Sequence, residues 1–313
     1  MPNLPDQTGR RIVVTGSNSG TGREAALRLA GAGASVVLAV RSTEKGESAA
    51  SGIRAAHPGA DVEVRELDLA DLASVRRFAS GIVDEERPID VLVNNAGVMA
   101  PPERFETVDG FELQFGTNFL GPFALTNLLL PSLLRAGAAR TGAPLAEAPR
   151  VVTMSSLAAI PGRIRFADLQ WERGYNGWRA YAQSKLADLL LALHLHRLTV
   201  EADVPLVSTA AHPGYTRTNL QAAGRSLGRS KPVRSSNRAL PFTQAVEQGT
   251  EPLLYAAVGP ERRGWRVLRA LRSVRHDRSD HHHRVDPWAP RSADLARSLW
   301  AVAEDLTGTR PPL

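Results

Sequence analysis

The chain has 313 residues, 43% of them hydrophobic, with 26 glycines and no cysteine. This composition excludes disorder as the main state, and with it disulfides, thiolate metal sites and cysteine nucleophiles. The formal charge is 38 − 32 = +6, but residues 217–284 carry 14 basic and 5 acidic side chains, net +9, leaving the remainder at net −3. Only Lys45, Lys185 and Lys231 are lysines. So strong an arginine bias makes a high isoelectric point weak evidence for a nucleic-acid partner, and none is expected.

In chain order, Arg11–Thr15 predicts a strand, followed by a glycine-rich turn and a helix through Arg28. Ser35–Val40 predicts a second strand with a helix after Ser42, and Asp61–Arg65 a third, with Asp71 capping the next helix. Ile89–Val93 reads as the fourth strand. Two helical stretches then lead to a fifth at Arg150–Met154. A long helix follows Trp178, and Leu206–Ala210 makes a sixth strand. Apolar runs alternating with helices imply parallel strands covered on both faces and joined by right-handed crossovers. The expected fold class is α/β, a single doubly wound parallel sheet of the Rossmann type. One domain is expected over 1–313, with a core of about 10–260 and a substrate lid and basic extension over 217–290.

Leu113–Leu134 is uncharged but holds Gln114, Asn118, Pro122, Asn127 and Pro131, too much polarity and helix-breaking for a lipid span. Met1–Arg11 carries no apolar signal core, so a cytoplasmic protein without an integral membrane segment is expected. Arg266–Arg275 reads as a short basic amphipathic helix, or its first residues as a final edge strand. The arginines of 217–284 read as solvated surface, with contact to a membrane surface or an acidic substrate tail as the alternative. His281–His283 reads as an exposed loop, since three consecutive residues diverge on any backbone, and no metal is expected. Trp171, Tyr175 and Trp178 either line an apolar substrate pocket or pack a loop.

The first chemical signal is Thr15-Gly16-Ser17-Asn18-Ser19-Gly20-Thr21-Gly22 between a strand and a helix. Three glycines permit a tight turn and close approach of a pyrophosphate, and the helix start offers N–H groups to it. At the end of the second strand stand Val40 and Arg41, where a site built for the NAD ribose would carry a carboxylate. A guanidinium there suits a 2′-phosphate, so NADP(H) is expected over NAD(H). The second signal is Tyr181 and Lys185, spaced i, i+4 on one helix face, where an ammonium favours the phenolate.

Together with Asp68-Leu69, Asn94-Asn95-Ala96-Gly97, Asn118, Ser155-Ser156 and His212-Pro213-Gly214-Tyr215-Thr216-Arg217-Thr218, these motifs resemble the short-chain dehydrogenase/reductase family over roughly 10–219. A fainter echo lies in 294–308. The run Ser155-Ser156-Leu157-Ala158, Gly162-Arg163-Ile164, Phe166, Leu169-Gln170, Tyr175-Asn176 and Ala180–Ala187 resembles its retinol dehydrogenase-like branch.

The resemblance implies an oxidoreductase interconverting an alcohol and its carbonyl compound. Tyr181 would exchange the proton, Lys185 would lower the Tyr181 pKa and hold the ribose, Ser156 (or Ser155) would bond the substrate oxygen, and Asn118 would support a proton relay. The implied cofactor residues are Gly16, Ser17, Asn18, Ser19, Gly20, Gly22, Arg41, Asp68, Leu69, Asn95, Ala96, Gly97, Tyr181, Lys185, Pro213, Gly214, Thr216 and Thr218. Of these, Asp68 and Leu69 would contact adenine and Thr218 the carboxamide. A small lipophilic alcohol or carbonyl is the implied substrate. Pairing into a homodimer or homotetramer through helices over 123–134 and 182–200 is implied as well. The alternative functions are a reductase of an activated C=C bond and a non-catalytic dinucleotide-sensing protein on the same fold.

Overall fold

Alternation within the short apolar strands decides the architecture. In β1 (Arg11–Thr15), Ile12 and Val14 join one core cluster while Val13 joins another on the opposite face. The same split recurs in β2 (Ser35–Val40), β4 (Val91–Asn94) and β5 (Arg150–Met154), so the sheet is buried on both sides. The computed structural model describes residues 4–140, 147–216, 220, 224, 226–228, 243–259, 268–269 and 290–313.

With β3 (Val62–Glu66), β6 (Val207–His212) and β7 (Leu268–Arg269), the strands form one sheet in the order β3-β2-β1-β4-β5-β6-β7. Every neighbouring pair is parallel. On one face lie α1 (Gly20–Gly31), α2 (Thr43–Ala56) and α7 (Val246–Val258). On the other lie α3 (Leu72–Val83), α5 (Gly121–Ala139), α6 (Gly177–Glu201) and α8 (Pro290–Thr307). This is the doubly wound fold expected from the alternating runs. The chain reverses its direction of travel across the sheet between β1 and β4, and the strand C-termini on either side of that point open a crevice.

Local chemistry moves some boundaries. The fourth strand starts at Val91 rather than Ile89, because the Asp90 carboxylate accepts the Arg11 N–H (2.7 Å) and the Ile89 N–H goes to Ser132 Oγ (3.1 Å). The third strand is displaced by one residue to Val62–Glu66, and the sixth extends to His212. Asp71 does cap α3, accepting the Ala73 N–H at 2.8 Å. The two helical stretches between β4 and β5 are one run: α4 (Leu113–Phe115), a π-helical turn over Gly116–Leu120, then α5. Its apolarity is spent inside the fold, where Phe115, Phe119, Phe123, Leu125 and Leu129 are fully or almost fully buried. Of the 266–275 stretch, the edge-strand alternative holds at Leu268–Arg269, which pairs with Ala211–His212; its other residues lie outside those described.

The faint C-terminal echo becomes α8. Trp300 packs edge-on to Phe123 of α5 (centroids 4.8 Å) and against His194 of α6 (5.0 Å). Burial, with Arg197 and Arg297 nearby, pushes the His194 imidazole down to about 4, so it meets Trp300 as a neutral ring. The two helices through which pairing was implied therefore carry α8 on them within one chain. Trp300→Ala is expected to cost about 3–5 kcal/mol in denaturant unfolding, the usual range for emptying a buried indole site. A loss below about 1 kcal/mol would show that α8 does not close this core.

Candidate active site

The glycine turn after β1 is shaped by contact with the end of β4. Gly16 has a φ of +65°, and a Cβ there would sit 2.9 Å from Ala96 Cα. A Cβ on Gly22 would lie 2.4 Å from Asn95 Nδ2. Thr15 Oγ1 accepts the N–H groups of Asn95 and Ala96, each at 3.0 Å. Asn95 Nδ2 donates to the Thr15 carbonyl (2.9 Å), and Thr21 Oγ1 donates to Asn95 Oδ1 (2.9 Å). Two strand ends are thus stitched together without side-chain bulk between them.

The residues at this end fit a dinucleotide. Ser19, the N-cap of α1, makes no side-chain capping bond, so the first helical N–H groups remain available to an anion. Ser17 Oγ is buried without a hydrogen-bond partner, an orphaned polar atom in a cradle of glycine backbone. Asn18 and Gly20 complete the turn. At the far end, exposed Arg41 follows the last residue of β2, and Ser42 caps α2 by accepting the Lys45 N–H at 3.4 Å. Asp68 and Leu69 follow β3; Asp68 Oδ1 accepts the Ala70 N–H (2.9 Å), and Leu69 is buried beneath Gly121.

α6 begins at its cap Asn176, whose side chain accepts the Arg179 N–H at 3.0 Å. Tyr181 and Lys185 follow one turn apart, both almost fully buried, with Lys185 Nζ 5.9 Å from the phenol ring centroid. Lys185 Nζ donates to the Met154 carbonyl at the end of β5 (2.9 Å) and to Asp188 Oδ2 (2.7 Å). The register of the two serines is clear. Ser155 Oγ donates to the Lys185 carbonyl (2.7 Å), whereas Ser156 accepts the Ala158 N–H at 3.2 Å and lies near enough to the Tyr181 phenol to pull its pKa down. Neighbours on an extended strand end point oppositely, and only Ser156 faces the phenol.

Burial raises the Tyr181 pKa, Lys185 and Ser156 pull it back, and Asp188 pushes it up again; the net direction is upward. For Lys185, burial opposes the charge, but Asp188 and Tyr181 outweigh it and hold the group protonated.

Asn118 lies in the π turn, a distortion frequent at functional sites. Its Nδ2 donates to Ser184 Oγ (2.9 Å) and to the Val98 carbonyl (3.0 Å), while its Oδ1 accepts the Val98 N–H (2.7 Å). A Cβ on Gly97 would meet Asn118 Oδ1 at 3.0 Å and Lys185 Nζ at 3.7 Å. The glycine crevice and the Tyr181/Lys185 face are therefore one site. After β6, Pro213 and Gly214 (φ +64°) lead to Thr216, whose hydroxyl donates to the Pro213 carbonyl and accepts from Gln244 Nε2 at 3.2 Å. Thr218, the basic 229–242 stretch and His281–His283 lie outside the described residues.

The three aromatics before α6 divide. Trp171 is buried under the Arg165 guanidinium (4.1 Å to the ring centroid), which is loop packing. Tyr175 donates to Glu112 Oε1 (3.3 Å) and accepts from Gln114 Nε2 (3.1 Å). Trp178 is 50% exposed and sits edge-on to Tyr181, with centroids 6.5 Å apart. Sequence reasoning missed Gln114, which also donates to the Gly177 carbonyl (2.9 Å) and accepts the Ala100 N–H (2.8 Å), locking the start of α6 to the crevice. It also missed Asp188. The available signal was a carboxylate at i+3 from Lys185 on an otherwise apolar helix face.

A model of the short chain dehydrogenase family matches residues 10–226. The chain is 40% identical to human retinol dehydrogenase 13 over 311 residues, 97% of this chain and 86% of that protein. It is also 40% identical to mouse polyprenol dehydrogenase over 312 residues, 98% of this chain and 86% of that one. Among solved structures, an uncharacterized protein from Mycobacterium paratuberculosis superposes with a TM-score of 0.73 at 41% identity, covering 100% of this chain and 98% of that one. A Shigella flexneri short chain dehydrogenase solved with NADP has a TM-score of 0.60 at 25% identity, over 82% and 94% of the chains. The chain belongs to the short-chain dehydrogenase family of oxidoreductases, as a retinol dehydrogenase-like member.

Proposed function

We propose that this protein is an NADP(H)-dependent oxidoreductase that interconverts an alcohol and its carbonyl compound, with Tyr181 exchanging the proton. The observation that carries this reading is a juxtaposition. Tyr181, Ser156 and Lys185 converge at the strand ends that form the glycine-lined crevice, with Gly97 against the Lys185 ammonium. A nicotinamide cofactor bound there supplies the hydride.

The chain's own residues do the rest. Gly16, Ser17, Asn18, Ser19, Gly20 and Gly22 would hold the pyrophosphate by backbone and hydroxyl groups. Asp68 and Leu69 would border the adenine, Arg41 would pair with a 2′-phosphate, and Asn95, Ala96 and Gly97 would floor the groove. Pro213, Gly214 and Thr216 would close its nicotinamide end, and Thr218 would reach the carboxamide. Ser156 would donate to the substrate oxygen while Tyr181 gives up its proton to the developing alkoxide. The Lys185 ammonium would stabilise the phenolate left behind, and in the reverse direction that phenolate would take the proton back. Asn118 would support the relay that returns a proton to Tyr181. Burial holds the phenol protonated, the form that donates in carbonyl reduction.

The names of the relatives and the half-exposed Trp178 beside Tyr181 support a lipophilic alcohol or carbonyl as substrate. The test is a panel of lipophilic aldehydes, ketones and enones assayed with NADPH and NADH. NADPH-dependent reduction of carbonyls to alcohols is expected. Saturation of enones alone, or cofactor binding without turnover, would instead support a C=C reductase or a sensing protein.

A further inference from the structure

We propose that Asp188 is a positioning residue, whose carboxylate pins the Lys185 ammonium against β5 and, as its counter-charge, sets the pH range over which Tyr181 exchanges its proton. This rests on the reading of Tyr181 as the proton-exchanging group. Tyr181, Lys185 and Asp188 stand at i, i+4 and i+7 of α6, which places all three on one helix face. Asp188 is 1% exposed, and its Oδ2 accepts from Lys185 Nζ at 2.7 Å. An ammonium has three protons to donate. Two are fixed, to Asp188 Oδ2 and the Met154 carbonyl, leaving one for the phenol and ribose side of the site.

Packing alone is a poor account of this carboxylate. Its other oxygen, Oδ1, is buried with no hydrogen-bond partner. A buried ion pair seldom outperforms apolar groups of the same volume, and an unmet acceptor adds to the cost. The charges facing the pair are few. Among the described residues Asp188 responds to Lys185, and Lys185 responds to Asp188 and Tyr181. From other elements β5 presents the neutral Met154 carbonyl, the turn after it presents Ser156, and the π turn presents the neutral Asn118 carboxamide. Burial pushes Asp188 up to about 6, against the pull of Lys185. Above that pH the full counter-charge is present. It offsets the field of the ammonium on the phenol, so the Tyr181–Lys185 pair releases its shared proton at higher pH than it would beside a neutral neighbour.

The test is the pH profile of kcat/KM for alcohol oxidation in the full chain with NADP. Asp188→Asn keeps an acceptor for Lys185 but removes the charge. Its acid limb is expected to shift down by about one pH unit or more, with a lower plateau. Asp188→Glu, which keeps the charge, is expected to leave the limb near the wild-type position while lowering kcat. Asp188→Ser is read in the same way should Asp188→Asn yield too little folded protein. An acid limb unmoved in the neutral variants, with activity or thermal stability simply reduced, overturns the proposal and leaves a structural ion pair. Wild-type turnover in Tyr181→Phe would instead overturn the assignment of Tyr181, so the two failures are distinguishable.

Discussion

Tyr181→Phe is expected to lower carbonyl reduction by about 10²–10⁴-fold, the range a positioned proton donor contributes. The ring stays, so its edge-on contact with Trp178 and its place in the α6 face are preserved. What disappears is one hydroxyl, beside Ser156 and within the field of Lys185. Thermal stability and cofactor affinity should therefore change little, while kcat and kcat/KM fall together, the signature of an interaction made only in the transition state. Steady-state kinetics beside a cofactor-binding titration and a melting curve make the separation. A variant with undiminished kcat would remove Tyr181 from the chemistry.

Arg41→Asp is expected to reverse the cofactor preference, with the ratio of kcat/KM for NADPH over NADH falling by about 10²–10³-fold. The residue is exposed at the end of β2, with no carboxylate at that strand end to hold a ribose hydroxyl pair. Removing a guanidinium loses a charge-assisted contact to a 2′-phosphate, and the new carboxylate repels it. The same carboxylate can accept from both ribose hydroxyls of NADH. Ser42 and the α2 cap remain in place, so the fold should tolerate the change. Parallel saturation curves with the two cofactors measure the ratio. A variant that keeps its NADPH preference would place 2′-phosphate recognition on other residues.

The sheet was legible because β-branched runs of four to six residues have one use when buried on both faces. The crevice was legible too, since Gly16 and Gly22 have no substitute where a Cβ would meet Ala96 or Asn95. The spacing of Tyr181 and Lys185 fixed their common helix face in advance. Other features depend on contacts between segments far apart in sequence. Whether Ser155 or Ser156 faces the phenol depends on how β5 ends against α6, a register that local sequence leaves open. The π turn at Asn118 hides inside a pattern that reads as two ordinary helical stretches. Asp188 looks like a solvated charge until α6 is seen to be buried on the side that carries it. α8 follows a long stretch of weak periodicity, and only its docking of Trp300 between α5 and α6 reveals a core element.

The most direct measurement is isotopic. The protein is incubated with a lipophilic aldehyde and NADPH carrying deuterium at one face or the other of nicotinamide C4, and the product is read by mass spectrometry and NMR. One of the two labelled cofactors should deliver a single deuterium to the carbinol carbon of the alcohol. An alcohol unlabelled from both cofactors, or label found only on the β-carbon of an enone supplied in its place, would contradict transfer to a carbonyl at this site.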